Sequence, residues 1–405
     1  MPLDLSRLLR TAGLIVALAA PAARAVDTHD TAFLHEPAIG AERIVFVYAD
    51  DLWTARPDGT DVRRLTAHPG PESSPYLSPD GKRVAFTAAY DGNPDAYVIA
   101  VDGGEPTRLT YHPGPDAVLG FAPDGSVLFR SPRSSFTNRY AGLFTVRPEG
   151  GPPKPLPVPN GFRAAYSPDG STLAYTPLSE PFRQWKNYRG GTASRIWLLK
   201  LSDLSVEAIP QPEGRCNDTY PIWSGDTAYF LSDRAGEFNL FSYDRKTKEV
   251  AQLTRHDDFP VESASAGAGR IIYEQAGHLW VFDPTSKDAR RLTIGVAADI
   301  PETRPRQVAG AKYVRNDDIS PTGKRAVLEF RGEVVTVPAK KGDVRYLTRS
   351  PGVHERSPIW SPDGKSIAYL SDASGEYTLH VRPQDGKGEP RAYPLDGAGF
   401  YERPS

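Results

Sequence analysis

Apolar residues in this chain come in short runs with hydrophobic positions near every second residue. RVAFTA, SVLFR, TLAYT, TAYFLS, RIIYEQ, RAVLEF and SIAYLS form one series. AYVIAV, GLFTV, RIWLLKL, NLFSY, HLWVF, EVVTV and TLHV form a second, each member following its counterpart after a short gap. Alternation of this kind sends successive side chains to opposite faces and predicts short strands. A third short run then closes each unit, typically on Arg-Leu-Thr.

Turn residues punctuate the pattern at fixed places. SPDG stands at 78–81, 167–170 and 361–364, APDG at 122–125 and SPTG at 320–323, with weaker copies at 223–226 and 267–269. Pro fixes φ at the second turn position, Asp tolerates the third, and Gly accepts positive φ at the last. The motif therefore predicts a hairpin joining the first two strands of each unit. Closing markers at Leu65, Leu109, Leu156, Ile209, Leu253, Leu292, Leu347 and Tyr393 lie between 39 and 55 residues apart. Eight four-stranded units result, and none can bury both of its apolar faces alone, so neighbours must stack. Radial stacking predicts an all-β fold of β-propeller type.

The segment 296–320 interrupts the series, being rich in Pro, Arg and Asp with no clear strand before Arg325. The expected organisation is a six-bladed propeller over 26–298 and the start of a second, incomplete propeller over 299–405. The alternative is one ring of eight blades. Two blades alone would leave sheet edges open, so the chain is expected to be incomplete at its C-terminus.

Composition narrows the reading further. Gly and Pro make up 75 of 405 residues, high for a helical protein, while 39% hydrophobic content provides a core. A formal charge of −2 gives no surplus to neutralise phosphates, which disfavours nucleic acid as a partner. One cysteine, Cys216, excludes a disulfide framework and a thiolate metal cluster. At the N-terminus, Arg7 and Arg10 precede the apolar run 11–20 and an Ala-Arg-Ala site at 23–25. This is the pattern of a secretory signal peptide, too short to span a bilayer as a helix. Residues 1–25 are expected to be removed after Ala25, leaving a periplasmic or secreted product with no membrane segment.

Three phrases go beyond repeat grammar: ERIVFVYADDLW at 42–53, RLTAHPG with SPYLSPDGKRVAF at 64–86, and WKNYRGGTASRIW at 185–197. They resemble tricorn-type proteases, the Trp185–Thr192 segment most specifically, because the repeat does not require it. SPDG with RLT is shared with TolB-like and WD40-like propellers. The tricorn resemblance implies a six-bladed and a seven-bladed propeller, then a helical region, a PDZ domain and a serine-peptidase domain. No catalytic residue carries over, since no position of this chain matches the family's nucleophile, histidine or oxyanion hole. The export signal departs from the intracellular archetype.

Candidate chemistry within the chain is sparse. Gly364-Lys365-Ser366-Ile367-Ala368 lacks the last glycine of a nucleophile elbow. His68, His112 and His256 each follow a Leu-Thr pair by two positions and are read as edge-loop residues, with a metal- or carboxylate-binding ring as the alternative. Asp pairs at 50–51, 257–258 and 317–318 are read as loop turns. Five tryptophans fall at repeat positions and are expected to pack between blades. Trp185, with Lys186, Tyr188 and Arg189, makes an aromatic and cationic cluster in the insertion, suited to a peptide or subunit contact or to bracing the ring. No cofactor or metal is expected. The function read from these features is a non-catalytic propeller region of a tricorn-like serine peptidase, gating or docking peptides, with a homo-oligomer of this chain as a candidate assembly. A TolB-like periplasmic binding scaffold and the propeller of a prolyl-oligopeptidase-like enzyme are the alternatives.

Overall fold

The structure, a computed structural model, describes residues 27–137, 140–178, 188–300, 306–397, 399, 401, 402 and 404. The expected export signal and the pair Trp185 and Lys186 lie outside the described residues. The described chain forms eight four-stranded antiparallel sheets, each a meander of four consecutive strands, and a 3-10 turn at Ala311–Tyr313. It divides into two compact units, residues 1–300 with six sheets and 301–405 with two.

In the first unit the initial strand of each sheet lies against the initial strand of the next. These strands are His35–Ile39, Glu72–Leu77, Ala117–Phe121, Arg163–Tyr166, Asp218–Ser224 and Val261–Gly267, and the sixth touches the first. Six apolar clusters fill the gaps between neighbouring sheets. One of them packs Ile44, Phe46 and Trp53 of the first sheet on Ile272, Leu279 and Val281 of the sixth. Both faces of every sheet are thereby buried, which the alternating runs required. The second unit packs its two sheets through Val327, Val334, Trp360, Ile367 and Tyr369.

The repeat grammar has a local physical cause. In the second sheet, Ser78 Oγ donates to Asp80 Oδ1 at 2.6 Å and accepts from the Arg83 amide at 2.9 Å. Gly81 closes the turn at φ +70°. Ser167 with Asp169 and Ser361 with Asp363 repeat the arrangement. The Leu-Thr closure is equally specific. The hydroxyls of Thr66, Thr110, Thr254 and Thr348 accept the amides of Leu52, Ala96, Leu240 and Val334, at 2.8–3.0 Å. Each of those amides lies near the start of a third strand, where an unmatched donor would be costly.

Two expectations are corrected. Val314–Ile319 is a strand, the first of the seventh sheet, although no strand was expected before Arg325. Its sequence VRNDDI hides the period because the half-buried positions carry Val, Asn and Asp. Asp317 and Asp318 therefore lie on this strand and not in a turn, and Asp318 Oδ2 accepts the Trp360 amide at 2.8 Å.

A third feature was invisible as a pattern. Glu36, Ser74, Tyr220 and Ser357 have φ between +48° and +52°, each directly before a proline and each in a first strand with a register shift. A bulge is where a strand tolerates proline, and here it bends the initial strands.

Candidate functional site

The ring of first strands lines a cavity in the first unit. Its volume is about 950 Å³, and all six sheets contribute lining residues where first strands run into the first-to-second-strand turns. Tyr76, Phe121, Tyr166 and Trp223 stand just before those turns and supply the wall's aromatic surface. The Arg163 guanidinium lies 3.6 Å from the centre of the Tyr220 ring. Burial pushes the Tyr166 hydroxyl up to about 12, so it stays a neutral donor. Charged residues of both signs, Arg43, Asp80, Lys82 and Asp102, complete the lining. Aromatic faces with the neutral Tyr166 hydroxyl and a stacked guanidinium suit an extended polypeptide, whose apolar side chains and backbone carbonyls need both kinds of contact.

Toward the other end of the first strands, carboxylates link neighbouring sheets. Glu36 accepts the Ser74 amide at 2.5 Å, while Glu274 accepts the Glu36 amide at 3.1 Å and the Ser263 hydroxyl at 2.8 Å. Burial holds the Glu274 carboxyl above its usual value against these bonds. The positive-φ bulges thus deliver backbone amides to carboxylates across sheet boundaries.

The structure separates the residues singled out in the sequence. Arg189 Nη1 pairs with buried Asp233 at 2.7 Å, and Asn217 Nδ2 donates to the Tyr188 carbonyl at 2.9 Å. Tyr188 Oη accepts from Thr192 at 3.0 Å. These contacts root the insertion where second strands end, the face opposite the turns that rim the cavity. His68 and His112 accept the amides of Gly70 and Gly114 through Nδ1, at 2.9 and 3.0 Å, closing His-Pro-Gly turns. His256 Nε2 lies 3.1 Å from the Tyr273 hydroxyl, and burial pushes the imidazole below its usual value. Among the described residues, no group of three or more His, Cys, Asp or Glu could hold a metal ion. Burial and the nearby Asp218 push the Cys216 thiol up to about 12, which makes it a poor nucleophile. No helix among the described residues is long and apolar enough to cross a membrane.

Sequence reasoning missed Tyr76, Arg163, Tyr166 and Tyr220. A signal existed, because an aromatic residue precedes the turn at Tyr76, Phe121, Tyr166, Trp223 and Trp360, though only the tryptophans stood out.

Residues 31–288 match the family described as the tricorn protease N-terminal β-propeller domain. The chain belongs to this tricorn propeller family. Tricorn protease homolog 1 of Streptomyces coelicolor is 32% identical over 360 residues, covering 88% of this chain and 34% of that protein. The tricorn protease homolog of Saccharolobus solfataricus is 26% identical over 368 residues, covering 89% of this chain and 33% of its own length. The chain thus spans about a third of these tricorn relatives. Among solved structures, the tricorn protease superposes with a TM-score of 0.62 at 20% identity, over 89% of this chain and 44% of that one. That likeness concerns the tricorn propeller fold.

Proposed function

We propose that the first unit docks extended polypeptides and passes them along its axis, toward or away from a tricorn-like serine-peptidase part that residues 26–405 do not supply. The observation that carries this reading is the cavity of about 950 Å³, lined by all six sheets and rich in tyrosine. Selection follows from size and wall chemistry: an unfolded chain enters, whereas a folded domain is too wide. Export through residues 1–25, with cleavage after Ala25, places this work in the periplasm or outside the cell. Tyr188 and Arg189 root the insertion, and the cluster they form in sequence with Trp185 and Lys186 offers a peptide or subunit contact, including one between copies of this chain.

Binding of a fluorescently labelled unstructured polypeptide to the full chain tests the reading by anisotropy. Double substitution of Tyr76 and Tyr220 by alanine should weaken binding about tenfold or more, since each aromatic contact is worth about 1 kcal/mol beyond simple burial. Unchanged affinity in the double variant, or no affinity in the parent chain, overturns the docking role.

A further inference from the structure

The second unit has a cavity of its own, of about 610 Å³, with a different chemistry from the first. Arg315, Arg331 and Arg356 line it together with His354, Glu329 and Glu402. The two carboxylates are not equivalent. Glu329 is buried, and its Oε2 already accepts the Asn316 amide at 2.6 Å and the Ser357 backbone amide at 3.0 Å. Its charge is directed into the wall.

Two of the guanidiniums, Arg331 and Arg356, lie against aromatic rings. Arg331 lies 5.2 Å from the centre of Tyr313, with Lys312 Nζ 5.0 Å from the same ring, and Arg356 lies 4.5 Å from the centre of Tyr377. Arg356 also donates to the Tyr401 carbonyl. Stacking uses the face of a guanidinium and leaves its N–H edge for a planar acceptor, the geometry that favours carboxylates. Arg315 and Arg331 are exposed. Arg315 belongs to the first strand Val314–Ile319, and Arg331 precedes Gly332, whose carbonyl accepts the amide of Glu355 at the start of the first strand Glu355–Trp360. First strands line the axis in the first unit.

We propose that this cavity is a carboxylate-binding site, which selects acidic segments of the polypeptides that the chain docks. The inference rests on the docking role for its ligand class, but it concerns different residues in a different unit. Arg315 and Arg331 supply the attraction, with Arg356 fixed as the wall behind them.

The test uses the full chain and two unstructured peptides of one sequence, the first carrying four glutamates and the second glutamine at those positions. At low salt the glutamate peptide should bind about tenfold tighter, and the gap should close near molar salt as the pairs are screened. Arg315→Gln with Arg331→Gln should abolish the gap and leave affinity for the glutamine peptide unchanged. Both side chains are exposed, so the urea midpoint should stay put and a folding defect would be visible. Equal affinities in the parent chain, or a gap surviving in the double variant, overturn the proposal. The tyrosine variant of the first unit separates the two ideas. A glutamate preference persisting there, with glutamine-peptide binding also unaffected, leaves the carboxylate site standing and removes the docking role. Loss of glutamine-peptide binding alone leaves both standing, and absence of binding to either peptide in the parent chain removes both.

Discussion

Thr66, Thr110, Thr254 and Thr348 each receive a third-strand amide and pass a hydroxyl proton onward, to Glu72, Asp95, Asn239 and Glu333 respectively. The Leu-Thr signature is therefore a structural device, in which the threonine satisfies a strand start and is itself satisfied by an acceptor that is buried or half-buried. Glu72 accepts the most bonds of these four, also taking the Leu52 amide at 2.9 Å and the Tyr90 hydroxyl. Burial nonetheless holds its carboxyl above the ordinary value of 4.5, outweighing the bonds to Thr66 and Tyr90. An acid whose native pKa exceeds its unfolded one favours folding below the unfolded value and loses that contribution as pH rises through the native one. Relative to Glu72→Gln, which cannot ionise, the parent protein should lose stability as pH rises from about 4 to 7. Urea midpoints of both proteins across that range measure the difference. A difference that stays constant or grows with pH means that the bonds to the carboxylate outweigh its burial.

Among elements, the turns were the most legible from the sequence and the first strands the least. Ser-Pro-Asp-Gly announces itself because each residue has a separate backbone reason to be there. The strand Val314–Ile319 did not, because Asn316 and Asp318 stand where an alternating pattern would show apolar residues. The bulges at Glu36, Ser74, Tyr220 and Ser357 were unreadable for a different reason. A non-glycine residue at positive φ costs energy that local sequence does not explain, and only the neighbouring sheet makes sense of Glu36 and Ser74 by trading amide for carboxylate. The cavity's tyrosines were hidden in the same strands, which is why the candidate site was less legible than the fold. For the turns the energetics are simple. Gly170 stands at φ +71° with Pro123 Cγ 3.5 Å from where a Cβ would be, so Gly170→Ala pays for backbone strain without a clash. A loss of about 1–2 kcal/mol is expected. Gly191, with no positive φ and nothing within 4 Å of a Cβ, is the matched control and should change little. Equal urea midpoints for the two alanine variants would remove the strain argument.

At the level of the first unit, one interface differs from the other five. Successive sheets are joined by the chain itself, but the sixth meets the first with no strand shared between them, since every sheet is built of consecutive strands. The joint is closed by the packing of Phe46 and Trp53 on Ile272 and Leu279, and by lacing from the N-terminal segment. Thr31 donates its amide to the Ile294 carbonyl at 2.8 Å and accepts the Val296 amide on Oγ1 at 2.9 Å, while Arg291 clamps Asp30 at 2.6 Å. When packing fails at any other interface, a short connection keeps the separated sheets close, and the entropy gained on opening is small. At this joint no connection holds the sheets together, and the lacing and hydrogen bonds such as those joining Glu36 to Glu274 and Ser265 to Pro37 are left to oppose separation, so it should open first. Ile272→Ala removes fully buried volume here, and Leu231→Ala does the same between the fifth and sixth sheets. Each should cost about 2–4 kcal/mol in global stability. Native-state hydrogen exchange should distinguish them: Ile272→Ala accelerates exchange in His35–Ile39 and Val261–Gly267 ahead of the remaining first strands, and Leu231→Ala does not. Uniform acceleration around the ring in both variants would show that the six sheets open as one cooperative body and that the lacing carries no special part of the closure.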